Sequence, residues 1–295
     1  MKLRVLGAGA GGGLPKWNCG CRNCNDARNG LIPTMSQSSV AASADGQHWV
    51  LLNASPDLRE QLARDLTFDP ETLRASPLDA VVLTNGDIDH IAGLLTLREK
   101  SAFTVYGTRD VLSIIETDSV FRVLDPNFVT QKPFVVEAAF EPVPDLTITP
   151  FSVPGKVALF LESDTVELAE IGEMTVGLLL QSEGATVAYV PGCAALPNWL
   201  VERLGAADAV LFDGTVWEND DMQKTGTGEK TGSRMGHIPM TGSSGSLSRL
   251  ADLTARKIYI HVNNTNPILQ PKGPERQQIT AQGWEMAYDG MEITV

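Results

Sequence analysis

Thr84-Asn85-Gly86-Asp87-Ile88-Asp89-His90 follows the apolar run Ala80–Leu83 and leads into a helical pattern over Ile91–Leu97. A strand that passes directly into a helix holds its last side chains rigidly and aims them into a common crevice. Asp89 and His90 offer a carboxylate and an imidazole side by side. His261, at the end of the run Ile258-Tyr259-Ile260, offers a second imidazole. Two histidines and one carboxylate on a single face leave coordination positions open, the arrangement favoured by non-haem iron(II) enzymes that use oxygen. Taken by spacing alone, such an Asp-His pair is more often a capping or core element than a metal ligand.

The surrounding sequence reads as many short strands with fewer helices. Strands are expected over Leu3–Leu6, Trp49–Leu52, Ala80–Thr84, Phe103–Tyr106, Leu146–Phe151, Thr186–Val190, Ala209–Phe212, Lys257–Val262 and Met291–Val295. Ser55-Pro56-Asp57 opens a helix carrying Leu58, Leu62 and Leu66, and Thr108 caps another carrying Val111, Leu112 and Ile115. Pro197–Leu204 and Ser246–Leu253 read similarly. This excess of strands predicts two sheets with helices outside. Gly7-Ala8-Gly9-Ala10-Gly11-Gly12 matches a dinucleotide fingerprint, but Gly13-Leu14-Pro15 follows where a helix is required. It is read as a glycine-rich turn needing positive φ, or as backbone lying close to a ligand. The stretch from Asn219 to Ser246 is predicted to be a long polar loop leading into His237. His48, in the expected hairpin around Asp45-Gly46, reads as an exposed strand residue.

Composition narrows the chemistry. The chain has 295 residues and a formal charge of −13, which argues against nucleic acid as a ligand. No apolar run is long enough for a bilayer, and the N-terminus enters a strand pattern without a signal-peptide stretch, so a cytoplasmic protein without membrane contact is expected. Histidine and cysteine number four each, so any nitrogen- or sulfur-rich metal site draws on eight residues. Three of these form Cys19-Gly20-Cys21-Arg22-Asn23-Cys24, a spacing that suits three thiolates on one zinc; Cys193 stands apart.

Larger motifs carry a resemblance. Gly11-Gly12-Gly13-Leu14-Pro15-Lys16-Trp17-Asn18-Cys19-Gly20-Cys21, Gln37-Ser38-Ser39 and Asn53-Ala54-Ser55-Pro56-Asp57 come first. Asp89-His90-Ile91-Ala92-Gly93-Leu94-Leu95-Thr96-Leu97-Arg98-Glu99 and Val153-Pro154-Gly155-Lys156 follow. Leu211-Phe212-Asp213-Gly214-Thr215, Arg234-Met235-Gly236-His237 and His261-Val262-Asn263-Asn264-Thr265-Asn266-Pro267 complete the set. In this order they resemble the metallo-β-lactamase superfamily, and within it the coenzyme PQQ synthesis protein B family. The resemblance implies an α/β fold: a metallo-β-lactamase-like αββα sandwich of two mixed sheets with outer helices, as a single domain over residues 1–295.

The chain departs from the superfamily's H-x-H-x-D-H motif, with Asn85 and Asp87 standing where the first two histidines are usual. A later histidine near Val153-Pro154-Gly155 and a bridging aspartate near Gly192 are also missing. Two-metal hydrolysis loses its basis. What remains by the resemblance is a mononuclear Fe(II) site on Asp89, His90 and His261. Asp87 is a further oxygen ligand or outer hydrogen-bond group, and Asp213 and His237 are acid–base or supporting groups. A related phosphodiesterase branch places a zinc-binding histidine three residues beyond the late active-site histidine. That offset falls on Asn264, which completes the cysteine zinc site or supports its loop.

The reaction implied is hydroxylation of the tyrosine ring of a cross-linked Glu-Tyr dipeptide in PQQ biosynthesis, with O2 as co-substrate. Such a polycarboxylate needs local cations in an acidic protein. Arg98, Lys156, Lys230 and Arg234 are the candidates, with Ser38 and Ser39 as hydrogen-bonding groups. Two alternatives stand beside this reading: a binding protein that carries PQQ or assists its export, and a hydrolase using one zinc. The resemblance also admits a homodimer and contacts with other PQQ biosynthesis proteins.

Overall fold

Residues 1–66, 73–162 and 170–295 are described by a computed structural model of the chain. The first sheet contains β1 (Lys2–Gly7), β2 (Ser39–Ser43), β3 (Trp49–Leu52), β4 (Leu78–Val82), β5 (Phe103–Gly107) and β6 (Val129–Pro133). The second contains β7 (Phe140–Val143), β8 (Leu146–Gly155), β9 (Glu170–Ser182), β10 (Ala185–Val190), β11 (Ala209–Asp213), β12 (Arg256–Ile260) and β13 (Trp284–Met286). The C-terminal β14 (Glu292–Thr294) returns to the first sheet and pairs with β1.

The strand orders are β14-β1-β2-β3-β4-β5-β6 and β13-β12-β11-β10-β9-β8-β7. Both sheets are mixed in the same way. The pairs among β14, β1, β2 and β3, and among β7, β8, β9 and β10, are antiparallel. The pairs from β3 to β6 and from β10 to β13 are parallel. Parallel strands gather their carboxyl ends on one edge, where ligands bind in α/β sheets. Here β4, β10, β11 and β12 deliver the chain segments that form the site described below.

Period-two alternation divides the core between the layers. Val5, Val50, Ala80 and Val82 face the interior shared with Phe151, Tyr189, Phe212 and Tyr259 of the second sheet. Their neighbours Leu6, Leu51, Val81 and Leu83 face the outer helices, against Leu58, Val111, Leu112 and Ile115. The fold is the expected αββα sandwich. All nine expected strands are present, and the Thr108 hydroxyl accepts from the Val111 amide as a helix cap.

Several local expectations need correction. The helical pattern after His90 divides into a short α-helix, Ile88–Ile91, and a 3-10 segment, Ala92–Leu97. The helix expected over Ser246–Leu253 is only Ser246–Arg249. The polar stretch from Asn219 to Ser246 is partly helical, at Asp221–Lys224 and Gly232–Met235, with Thr231 capping the second. His48 lies in the hairpin bend rather than on a strand and pairs with Asp45.

Gly93 allows the segment after His90 to dock. Its amide donates to the Ala54 carbonyl at 2.9 Å, and the Ala54 amide donates to the His90 carbonyl at 2.7 Å. A Cβ at Gly93 would overlap the Ser55 carbonyl and the Ala54 backbone. Gly93→Ala is therefore expected to destabilise the protein by roughly 1–3 kcal/mol through overpacking, read as a lower denaturation midpoint in urea.

Candidate active site

At the end of β4 the Asn85 side chain organises the turn. Its carbonyl oxygen accepts from the Asp87 amide at 2.9 Å and from the His90 ring at 2.8 Å through Nδ1. With Nδ1 donating, Nε2 carries a bare lone pair. That Nε2 is buried and has no hydrogen-bond partner among the described residues. Burial pushes the His90 imidazole down to about 4, so it is neutral near pH 7 and available as a ligand.

His261 is oriented by an equivalent device from the second sheet. Its Nδ1 lies 2.8 Å from the Thr215 hydroxyl, which in turn donates to Asp213 Oδ1 at 2.6 Å. His261 Nε2 faces Asp89 Oδ2 at 3.1 Å. The residue leaves β12 with φ of 60°, a left-handed conformation that costs a non-glycine residue roughly 1–2 kcal/mol. The backbone on either side of that bend is fixed by the glycine turn: Val262 donates to Ala8, and Ala10 donates back to Val262, both at 2.9 Å. Gly11 lies beside the Asp89 carboxylate, where an added Cβ would stand 3.2 Å from Oδ2.

Ligand atoms of Asp89, His90 and His261 lie within 4.8 Å of one another. Burial works to raise the Asp89 carboxyl, but His90 and the hydrogen bond from His261 hold it well below the usual carboxylate range. An ionised carboxylate, the free Nε2 of His90 and a His261 Nε2 that can give up its proton to a metal form a donor set that fits a divalent ion. Asp213, His237 and His261 also converge. The Asp213 oxygens, however, already accept from the Cys193 amide, the Thr215 amide and hydroxyl, and His237 Nδ1. That carboxylate is a buried support for the two rings, and it does not line the pocket. His237 stacks on His261 at 5.2 Å between centroids and reaches the pocket wall.

The pocket has a volume of ≈ 270 Å³. It brings together Asp87, Asp89, His90, His237, His261, Lys156, Lys230 and Arg234. Burial, then the neighbouring Asp89, pushes the Asp87 carboxyl upward. Three expected contacts are not brought here. Ser38 is fully buried away from the lining, and Ser39 uses its hydroxyl on the Asn53 carbonyl inside β2. Arg98 is carried off by eight residues of α then 3-10 helix, a rise of roughly 12–16 Å, and binds the Leu95 carbonyl in solvent. The sequence reading missed Lys16, Thr215 and Asn85 as site-forming residues. Lys16 follows the glycine turn directly, a signal that was available.

The Cys19, Cys21 and Cys24 sulfurs also lie within 4.8 Å of one another. The Asn264 side-chain nitrogen stands 3.2, 3.6 and 3.3 Å from them. Asn264 thus occupies the fourth side of the cluster, and a half-turn of its amide would present the oxygen there instead. Cys193 is buried separately, with its thiol on the Ala195 carbonyl.

A model of the β-lactamase superfamily domain matches residues 48–262. Coenzyme PQQ synthesis protein B of Ruegeria pomeroyi is 50% identical over the full length of both chains. The protein of that name from Rhizobium meliloti is 53% identical, covering 99% of this chain and 97% of its own. The chain belongs to the coenzyme PQQ synthesis protein B family. A crystal structure of Zn2+-bound PqqB from Methylobacterium extorquens covers both chains fully, with 47% identity and a TM-score of 0.98. A diphosphatase of the PhnP family, 21% identical with a TM-score of 0.71, shares the fold. Membership in this family and the two donor clusters support a bound metal. Among the described residues, no helix is long and apolar enough to cross a membrane.

Two outcomes test this geometry. Asn85→Ala frees the His90 ring and is expected to weaken metal at Asp89–His90–His261 by roughly 10–100-fold in a calorimetric titration, with metal on the cysteine cluster retained. Cys21→Ser is expected to remove that second metal and lower the melting temperature, whereas Cys193→Ser leaves metal content unchanged.

Proposed function

We propose that this chain acts in PQQ biosynthesis as an iron- and oxygen-dependent hydroxylase of the tyrosine ring in a cross-linked Glu-Tyr dipeptide. The observation that carries the reading is the orphaned Nε2 of His90, aimed beside Asp89 and His261 in a pocket that also presents four cationic side chains. The names of the full-length relatives supply the pathway. Three protein ligands on one face would suit Fe(II), which when bound would supply oxygen activation; each hydroxylation would place one oxygen atom in the ring and reduce the other to water with two electrons from an external reductant. Zinc is the corresponding choice for Cys19, Cys21 and Cys24, whose soft thiolates favour it.

The chain's own residues hold and orient the substrate. Lys16, Lys156, Lys230 and Arg234 lie around the ligand cluster and match a dipeptide with several carboxylates. His237 is held by Asp213 through Nδ1, at 2.7 Å, so Nε2 is the ring atom left to exchange a proton with a ring hydroxyl in the pocket. Asp87, pushed upward by burial, is a second group able to hold a proton at the pocket wall.

Anaerobic loading with iron(II), followed by exposure to oxygen, the dipeptide and ascorbate as a two-electron reductant, tests the assignment. Mass spectrometry is expected to show a product that has gained one or more oxygen atoms. Asp89→Ala and His261→Ala are expected to fold, bind about one metal fewer per chain and form no product. Product formation at the wild-type rate in both variants would remove the proposal. Tight PQQ binding without turnover, indifferent to both substitutions, would favour a carrier.

A further inference from the structure

Two of the pocket cations already grip a carboxylate of the chain itself. Arg234 donates to Glu162 through both terminal nitrogens, at 3.0 Å to Oε1 and 2.8 Å to Oε2. Lys156 Nζ donates to the same Oε1 at 3.0 Å. The Glu162 and Lys156 side chains are only 7% and 9% exposed, whereas the Arg234 side chain is 37% exposed, so the contact is open to solvent on its arginine side. A fork of two parallel bonds with a lysine behind it is the geometry by which proteins recognise carboxylate ligands.

The cations and the anion are held very differently. Lys156 follows β8 directly, and its carbonyl accepts from the Thr175 hydroxyl at 3.2 Å. Arg234 sits in the capped helix Gly232–Met235, where Asn219 accepts from both the amide and the hydroxyl of Ser233 at 2.9 Å. Glu162 instead ends a single 3-10 turn, Leu159–Leu161, and its amide reaches the Leu159 carbonyl at 3.3 Å. Leu159, Phe160 and Leu161 remain 56%, 45% and 47% exposed, so little apolar packing anchors the turn. Among the described residues, the side-chain ties of this turn are the Glu162 carboxylate on Lys156 and Arg234 and the Leu159 backbone on the Asp87 carboxylate.

We propose that Lys156 and Arg234 form a carboxylate subsite of the pocket, and that Glu162 is its resident occupant, displaced when a carboxylate of the ligand binds. The exchange keeps both cations paired and releases Glu162 to water, so neither state buries an uncompensated charge. It also sets a threshold: a ligand without a carboxylate has nothing to offer the pair in place of Glu162. This inference rests on reading the pocket as a polycarboxylate site. An occupied subsite lowers apparent ligand affinity by the fraction of time it is free.

Glutarate, and separately PQQ, would be titrated calorimetrically into the full chain, Glu162→Gln and Glu162→Asp, each with and without Arg234→Met. Glu162→Gln is expected to bind glutarate about tenfold more tightly, with no gain in the Arg234→Met background. Glu162→Asp keeps the charge on a shorter arm and is expected to gain less; it decides the matter if the glutamine variant does not fold. Folded variants that bind glutarate no better than the wild type overturn the proposal and make Glu162 a fixed strut. A glutarate gain without PQQ binding in any variant upholds the subsite and counts against the assigned substrate class.

Discussion

Both histidines that converge on Asp89 have one ring nitrogen committed elsewhere. His90 gives its Nδ1 proton to Asn85, and His261 gives its own to Thr215, with Asp213 behind. Each ring is thereby fixed in tautomer and in direction, and each turns Nε2 toward Asp89. A neutral imidazole buried without a partner at Nε2 is costly in an ordinary core. Here the cost is concentrated where three donors converge, and the sandwich supplies the rigidity that keeps it there. The two sheets contribute one histidine each, so the site exists only when both are packed together.

The same constraint explains several features that otherwise look unrelated. The left-handed backbone at His261 turns its ring out of β12 toward the first sheet. The glycine turn after β1 braces that bend through Ala8 and Ala10, while Gly11 leaves space beside Asp89. Gly93 brings the His90 helix onto the loop at Ala54. The cysteine cluster joins this frame through the loop that follows His261: Asn23 donates to the carbonyls of Asn264 and Asn266 at 3.0 and 2.9 Å. A metal held by the cysteines would therefore stiffen the segment that carries His261.

The strands were legible where β-branched and bulky apolar residues run together, as in Val50-Leu51-Leu52 or Ala209-Val210-Leu211-Phe212. They were not legible at β2, whose Ser39-Val40-Ala41-Ala42-Ser43 is buried throughout and has small side chains on both faces. Nor were they at Trp284–Met286, too short to show a period. Asp89, His90 and His261 stood out because histidine is scarce and the motif punctuates a strand end. Asn85 stands where the superfamily motif has a histidine, and its amide oxygen orients the His90 ring. Arg98 was misplaced because proximity in sequence along a helix is distance in space.

Composition and order of residues by themselves determined the layered α/β class and the few histidine and cysteine donor atoms available to any metal site. Those are properties of residue type and local period. The tertiary structure alone decided which cations meet the ligand cluster, which hydroxyl orients His261 and that Glu162 already occupies two of the pocket's positive groups. Such pairings join residues far apart in the chain, and their geometry comes from how the two sheets pack.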